Sequence, residues 1–174
     1  MNITRAVVFF SVLVTFLGRP DPATACSCRP GLPVRDALRE SDAVYFGKVI
    51  ASRDMDVTER GSSLNIGYTF RVSRAWKGVS TDTVEVGTAR GSTACGVHFE
   101  VGEEYLVYVY AGRDSAAYLT SLLGEKLTQT SEGVAYWTNT CMRTTHVRYA
   151  QEDLKELGKP SWVSARHGDD TEEQ

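Results

Sequence analysis

Hydrophobic and polar residues alternate along much of the chain, a pattern that indicates β-strands. The clearest case is the strand predicted at 65–78, where Ile66, Tyr68, Phe70 and Val72 alternate with smaller or polar residues, as in a half-buried strand. Similar or continuously apolar runs predict strands at residues 42–52, 82–89, 104–112 and 134–147. The run at 104–112 has no polar face, which favours a place at the centre of the sheet. The polar stretch 53–63 reads as an exposed hairpin loop.

Two short stretches have helical spacing instead. In residues 30–41 the apolar side chains Val34, Ala37 and Leu38 share one helical face. The second stretch, 149–158, ends at Gly158, with Pro160 following it.

The order of these elements predicts a mainly β domain. A short helix, five or six short strands and a final helix favour a closed or sandwiched sheet over a parallel one. A five- to six-stranded Greek-key barrel of the oligonucleotide/oligosaccharide-binding (OB) type fits that count. Gly47, inside the first strand, predicts a bulge or sharp bend there.

The first 25 residues form a separate unit. Arg5 precedes an apolar run from Ala6 to Leu17, which is too short to span a bilayer. Ala23 and Ala25 then occupy the small-residue positions of a cleavage site. We expect a secretory signal peptide at 1–25, cut before Cys26, and no transmembrane segment.

Charge and cysteine content narrow the function. Removal of the signal peptide takes the formal net charge from −3 to −4, which argues against nucleic-acid binding because that needs a basic surface. Four cysteines in an exported chain are most simply two disulfides, and three pairings of them are possible. No phosphate loop, Ser/His/Asp motif or paired carboxylates indicate an enzyme.

Half of the cysteines stand in a C-x-C directly behind the cleavage site, at Cys26 and Cys28. Three interpretations are open: a lipid anchor on Cys26, two structural disulfides, or an exposed amino terminus that is itself the working part. Acylation of Cys26 would make the protein a lipid-anchored envelope protein.

Several segments together resemble the inhibitory amino-terminal domain of the tissue inhibitors of metalloproteinases, a netrin-like module. They are "CSCRP", "ALRESDAVYFGKVI", "RAWKG", "STACGVHFEVGEEYLVYVYAG" and "TNTCMRT", in this order along the chain. The resemblance covers roughly residues 26–157. Its most specific part is the C-x-C behind a cleavage site, followed by the CGV segment.

The resemblance implies a fold, a pairing and a partner. The fold is the OB-like barrel, and the disulfides are Cys26–Cys95 and Cys28–Cys141. The protein is then a secreted, monomeric inhibitor of a zinc metalloprotease, without a cofactor of its own. A third disulfide of the family, which would begin near Arg39, and the family's carboxy-terminal subdomain have no counterpart in the sequence.

The inhibitory chemistry implied by the resemblance lies at Cys26. Its free α-amino group and its carbonyl oxygen would close a five-membered ring on the protease zinc and displace the water that acts as nucleophile. Ser27 would enter the main specificity pocket of the protease. The remaining contact residues expected are Cys28, Arg29, Pro30, Ser92, Thr93, Ala94 and Cys95.

A different function is compatible with the same fold. The disulfides would then only staple a netrin-like extracellular interaction module that inhibits nothing. In every version we expect the domain to span residues 26–160, followed by a disordered acidic tail at 161–174.

Overall fold

A computed structural model describes residues 28, 31–58, 60–91, 95–112, 124, 127–129 and 133–165, and this part of the chain is mainly β. The predicted signal peptide lies outside it. The helices are α1 (Val34–Glu40) and α2 (Gln151–Leu157), the second preceded by a 3-10 turn (Val147–Tyr149). The strands are β1 (Ala43–Thr58), β2 (Ser63–Lys77), β3 (Thr83–Ala89), β4 (Glu104–Ala111), β5 (Leu127–Gln129), β6 (Tyr136–Trp137), β7 (Thr145–His146) and β8 (Trp162–Val163).

Five of these strands close into a ring. The antiparallel series β4–β1–β2–β3 is completed by β6, which pairs parallel with β3 and antiparallel with β4. A ring of this kind leaves few unpaired strand edges. The predicted closed β fold, with one helix before the strands and one after most of them, is confirmed.

Strand β1 bends so that it can serve two partners. Its first six residues pair with β4, while nearly its whole length pairs with β2. The register with β2 shifts between Phe46 and Gly47, and a Cβ on Gly47 would lie 2.6 Å from the carbonyl oxygen of Arg71. The bulge predicted at Gly47 is therefore present, and the position has no room for a side chain.

The inside of the ring is filled by one apolar cluster built around aromatic rings. The ring centroid of Phe99 lies 4.9 Å from that of Tyr105, 5.0 Å from that of Tyr68 and 5.1 Å from that of Phe70, all in edge-to-face arrangements. Such pairs add to the stabilisation that burial alone provides.

A second apolar cluster lies outside the ring, beneath the two helices. Leu106 and Tyr108 of β4 face α1 and α2, whereas the alternate residues Tyr105, Val107 and Val109 face the ring interior. Both faces of β4 are thus buried, which explains its unbroken apolar sequence. The predicted apolar face of α1 lies here, with Val34 and Ala37 buried.

The hairpin predicted at 53–63 is present, but its loop is shorter than predicted, because β1 and β2 continue through most of this stretch. Met55 is fully buried, and the polar residues around it have partners on neighbouring strands. Arg53 Nε donates to Glu85 Oε1 at 2.5 Å, and the side-chain amide of Asn65 donates to Asp56. Local polarity indicated a loop, but cross-strand pairing satisfies these groups within the sheet.

The single strand predicted at 134–147 is wrong. Two short strands, β6 and β7, are separated by a turn at residues 138–144. The turn forms because Asn139 Oδ1 accepts a hydrogen bond from the Cys141 amide at 2.9 Å, and its carbonyl accepts one from Met142 at 3.1 Å. Asn is a frequent turn former for this reason.

The disordered tail was predicted to begin at residue 161, but the chain is ordered beyond that position. Trp162 and Val163 form β8 against β2, the Ser161 amide donates to the Ala75 carbonyl at 2.8 Å, and the Ser164 amide donates to the Ser73 carbonyl at 2.9 Å. This stretch is ordered because β2 offers backbone groups to it and Trp162 packs on the interior cluster. Residues 166–174 lie outside the described part.

Candidate functional site

The centre of the candidate site is a disulfide between Cys28 and Cys141. Its Cα atoms are 5.0 Å apart, and the two cysteines are separated by 113 positions in sequence. This bridge is one of the two that the resemblance implies, and both of its cysteines are exposed. It attaches the amino-terminal end of the described chain to the 138–144 turn.

That turn is held firmly on strand β4. The hydroxyl groups of Thr138 and Thr144 both donate to the carbonyl oxygen of Tyr108, at 3.0 and 2.9 Å. The Tyr108 amide in turn donates to Thr144 Oγ1 at 2.9 Å. Cys28 is therefore tethered to a turn that is anchored at both ends.

The same turn contacts the second predicted segment of the site. The Thr140 amide donates to the carbonyl oxygen of Cys95 at 2.9 Å, next to the Cys28–Cys141 bridge. Cys95 is itself disulfide-bonded and has a left-handed backbone with φ of 60°. Its predicted partner, Cys26, lies outside the described residues, so that pairing stays a prediction.

The described residues on either side of Ser92, Thr93 and Ala94 are joined by a hydrogen bond. The Gly96 amide donates to the Gly91 carbonyl at 3.1 Å, and the next amide, that of Val97, donates to Thr88 Oγ1 at 3.0 Å. A Cβ on Gly96 would lie 1.8 Å from a backbone oxygen of β3, so only glycine fits. The described residues that flank this segment, Gly91 and Gly96, are thus joined to each other beside β3.

An ion pair under the turn reaches the amino-terminal segment as well. Arg143 donates from Nε and Nη2 to the two carboxylate oxygens of Asp153 on α2, at 2.8 and 2.5 Å. Its remaining nitrogen, Nη1, donates to the carbonyl oxygen of Leu32 at 2.8 Å. Asp153 is almost completely buried and also accepts from the Tyr108 hydroxyl at 3.1 Å.

The electrostatics of this group favour fixed protonation states. Burial, and after it the negative charge of Asp153, raises the pKa of Tyr108, so its hydroxyl remains a donor. The hydrogen bond to Asp153 raises the pKa of Arg143 further above its already high ordinary value. Arg143 therefore stays cationic and Tyr108 stays a neutral hydrogen-bond donor in this network.

The structure describes only part of the predicted contact set. It joins both Cys28 and Cys95 to the 138–144 turn. The other predicted contact residues lie outside the described residues: Cys26, Ser27, Arg29, Pro30, Ser92, Thr93 and Ala94. Sequence reasoning missed Thr140, Arg143 and Asp153. Nothing in their spacing indicates the contacts, although the position of Arg143 two residues after Cys141 marked the neighbourhood.

The described residues contain neither a metal-binding cluster nor a helix that could span a membrane. No group of three or more His, Cys, Asp or Glu side chains there is arranged to hold a metal ion. Within the same residues, no helix has the length and apolar character needed to cross a membrane.

Comparison with known proteins identifies the family. The family model described as "Tissue inhibitor of metalloproteinase" matches residues 24–122. Metalloproteinase inhibitor 2 of Homo sapiens and that of Rattus norvegicus are each 32% identical to this chain over 104 residues, which cover 57% of this chain and 47% of the relative. Metalloproteinase inhibitor 2 of Gallus gallus is 30% identical over 112 residues, covering 62% and 50%.

The family match includes the predicted contact residues and strands β1 to β4 of the ring. The chain spans about half the length of the curated relatives that it matches. A family named for inhibitors agrees with the expectation that the chain is not an enzyme. Since the family model covers more than half of the sequence, this chain belongs to the tissue inhibitor of metalloproteinase family.

Proposed function

We propose that this protein is a secreted inhibitor of a zinc metalloproteinase and that it acts through the amino group and carbonyl oxygen of Cys26. Membership in the family and the printed name of the relatives, metalloproteinase inhibitor 2, support the partner class. The predicted signal peptide supports export and supplies the cleavage that would free the Cys26 amine.

The observation that carries the proposal is the hydrogen bond from the Thr140 amide to the Cys95 carbonyl, at 2.9 Å. It brings the end of the Ser92–Cys95 segment next to the Cys28–Cys141 bridge. Cys28 and Cys95, far apart in sequence, thus lie against the same turn, which supports a single contact edge that a protease cleft could accept. Because this edge is braced before binding, little conformational entropy is lost when the complex forms.

The zinc chemistry follows from the properties of an α-amino group. Such a group has a pKa of about 7.7 to 8.0, so roughly a tenth to a sixth of it is neutral at pH 7. Only the neutral amine can bind zinc, and binding draws the remaining fraction into the neutral form. The amine and the carbonyl oxygen would bind the protease zinc as a bidentate pair and displace the hydrolytic water.

The contact residues extend from the chelating group along both segments. Ser27 enters the specificity pocket, and Cys28, Arg29 and Pro30 continue along the cleft. The residues Ser92, Thr93, Ala94 and Cys95 form the adjoining ridge. The predicted Cys26–Cys95 disulfide joins the two parts, and the bonded state of Cys95 supports it.

The test compares two forms of the oxidised protein against a panel of zinc metalloproteinases. One form begins at Cys26, and the other carries one extra alanine before Cys26. We expect the first to inhibit at least one protease and the second to lose about a hundredfold or more in affinity, because an amide nitrogen replaces the chelating amine.

The control is the disulfide content of both forms, verified by mass. If both forms inhibit equally, the chelation mechanism is wrong. If neither inhibits although both disulfides are intact, the function moves to a non-inhibitory netrin-like interaction module. A lipid mass on Cys26 of the processed protein would instead identify an anchored envelope protein.

A further inference from the structure

We infer that Arg143 is a positioning residue, which holds the direction of the amino-terminal segment by binding the Leu32 carbonyl while it is itself braced by Asp153. The effect on protease inhibition rests on the function proposed above. The positioning of the segment can be tested without it.

The segment is attached to the 138–144 turn at two described points. Cys28 is bonded to Cys141, and four residues later the Leu32 carbonyl accepts from Arg143 Nη1 at 2.8 Å. Both attachments start from the same three-residue stretch of the turn, at positions 141 and 143. The turn therefore holds the segment at two points, Cys28 and Leu32, and not at the disulfide alone.

The second attachment restricts a motion that disulfides leave free. A disulfide at Cys28, with a second one predicted at Cys26, fixes two points, and two points define an axis. A chain can still turn about that axis, which would swing the peptide groups of the segment. The hydrogen bond from Arg143 to the Leu32 carbonyl adds a third point of attachment, which opposes this rotation.

Arginine suits this role because of its planar, forked guanidinium group. Nε and Nη2 together bind both oxygens of Asp153, so the plane is set before Nη1 reaches Leu32. Asp153 is nearly buried, and the Tyr108 hydroxyl fixes it from the strand side. Strand β4 and helix α2 thereby determine the orientation of a segment near the other end of the chain.

The bonds of Arg143 lie outside the part of the chain that matches the family. Arg143 and Asp153 both lie beyond residue 122, where that match ends. Both attachments of the turn, at Cys28 and at Leu32, are bonds between described residues.

The test uses the processed protein, expressed from the full chain and shown by mass to begin at Cys26. Arg143→Lys keeps a positive charge beside buried Asp153, so the fold should persist, but a lysine cannot bind Asp153 and Leu32 together in the same plane. The matched control is Arg35→Lys, whose side chain is 81% exposed on α1. Backbone order is measured by ¹⁵N relaxation at the amides of Gly31 and Leu32.

We expect the order parameters of both amides to fall in Arg143→Lys from about 0.85 toward 0.6, while those of β1 and β4 stay unchanged. Inhibition should weaken about tenfold in this variant and not in Arg35→Lys. Asp153→Asn should loosen the same two amides. Combined with Arg143→Lys, it should add little, because the two residues act as one unit.

The outcomes separate this inference from the proposed function. Unchanged order at Gly31 and Leu32 in Arg143→Lys overturns the positioning role, whether or not the protein inhibits a protease. Loosened amides with unchanged inhibition by an active parent overturn its importance for binding. If the parent inhibits nothing, the proposed function fails, and the relaxation data alone decide the role of Arg143.

Discussion

At the scale of single residues, two buried tyrosines make the stability of the fold depend on pH. Burial raises the pKa of Tyr45 well above its ordinary value, and burial together with the charge of Asp153 raises that of Tyr108. Both rings are inaccessible to solvent, whereas the Tyr149 ring is largely exposed. The folded protein therefore binds these two phenolic protons more tightly than the unfolded chain does.

This difference predicts alkaline unfolding. The stabilisation is complete below the unfolded tyrosine pKa of about 10 and is lost as pH rises above it toward the folded values. In a titration followed by tyrosinate absorbance, we expect Tyr45 and Tyr108 to ionise only together with loss of the circular dichroism signal. Tyr108→Phe should remove one late-titrating group. Ionisation of all eight tyrosines in a single early step, without unfolding, would contradict this.

Sequence reasoning succeeded for residues whose role is local. Gly47 indicated its bulge because glycine within an apolar strand rarely has another purpose. The resemblance implied the Cys28–Cys141 pair, which residue spacing alone had left undecided. The Arg143–Asp153 pair was beyond prediction, since its ten-residue separation has no periodic meaning and only the packing of α2 on β4 brings the two together.

At the scale of elements, the carboxy-terminal end of helix α1 is capped by the side chain of a lysine from strand β2. Lys77 Nζ of β2 donates to three backbone carbonyls at the end of the helix: those of Leu38 at 3.2 Å, Arg39 at 2.8 Å and Ser41 at 2.5 Å. The last carbonyls of a helix lack intrahelical partners and carry partial negative charge. The ammonium group satisfies them and attaches α1 to the ring.

Replacement of this lysine should destabilise the protein measurably. For Lys77→Met we expect a loss of about 1 to 2 kcal/mol in the free energy of unfolding, because charged hydrogen bonds to the helix end disappear while the aliphatic stem remains. Denaturant unfolding measures it, with Lys155→Met on the exposed face of α2 as the matched control. Equal stabilities of the two variants would show that the cap contributes nothing.

The elements that sequence reasoning recovered are those whose burial is visible locally. Strands β2, β3 and β4 follow from alternation or unbroken apolarity, and α1 and α2 from helical spacing. The extension of β1 through residues 53–58 was missed because its polar groups are satisfied by other strands, as in the Arg53–Glu85 pair. The split of 134–147 was missed because a side chain, that of Asn139, forms the turn.

At the scale of the whole molecule, the Cys28–Cys141 bridge spans most of the chain. Cross-linking across 113 residues restricts the unfolded state strongly, and the loop-closure estimate is about 4 to 5 kcal/mol. We expect the double variant Cys28→Ser, Cys141→Ser to lose stability of this order in denaturant unfolding, with Cys95 still bonded. A loss below about 1 kcal/mol would mean that the turn holds the segment without the bridge.

The ring closure described above also has a consequence for the order of events in biosynthesis. Strand β6, which completes the ring, and Cys141, which completes the bridge, are made long after Cys28. The Cys28 thiol therefore stays without its partner while most of the polypeptide is being synthesised. For the same reason, the early part of the chain cannot complete the fold alone. The Cys28–Cys141 bridge can therefore form only after Cys141 has been synthesised, and it needs a compartment that supplies an oxidant at that stage.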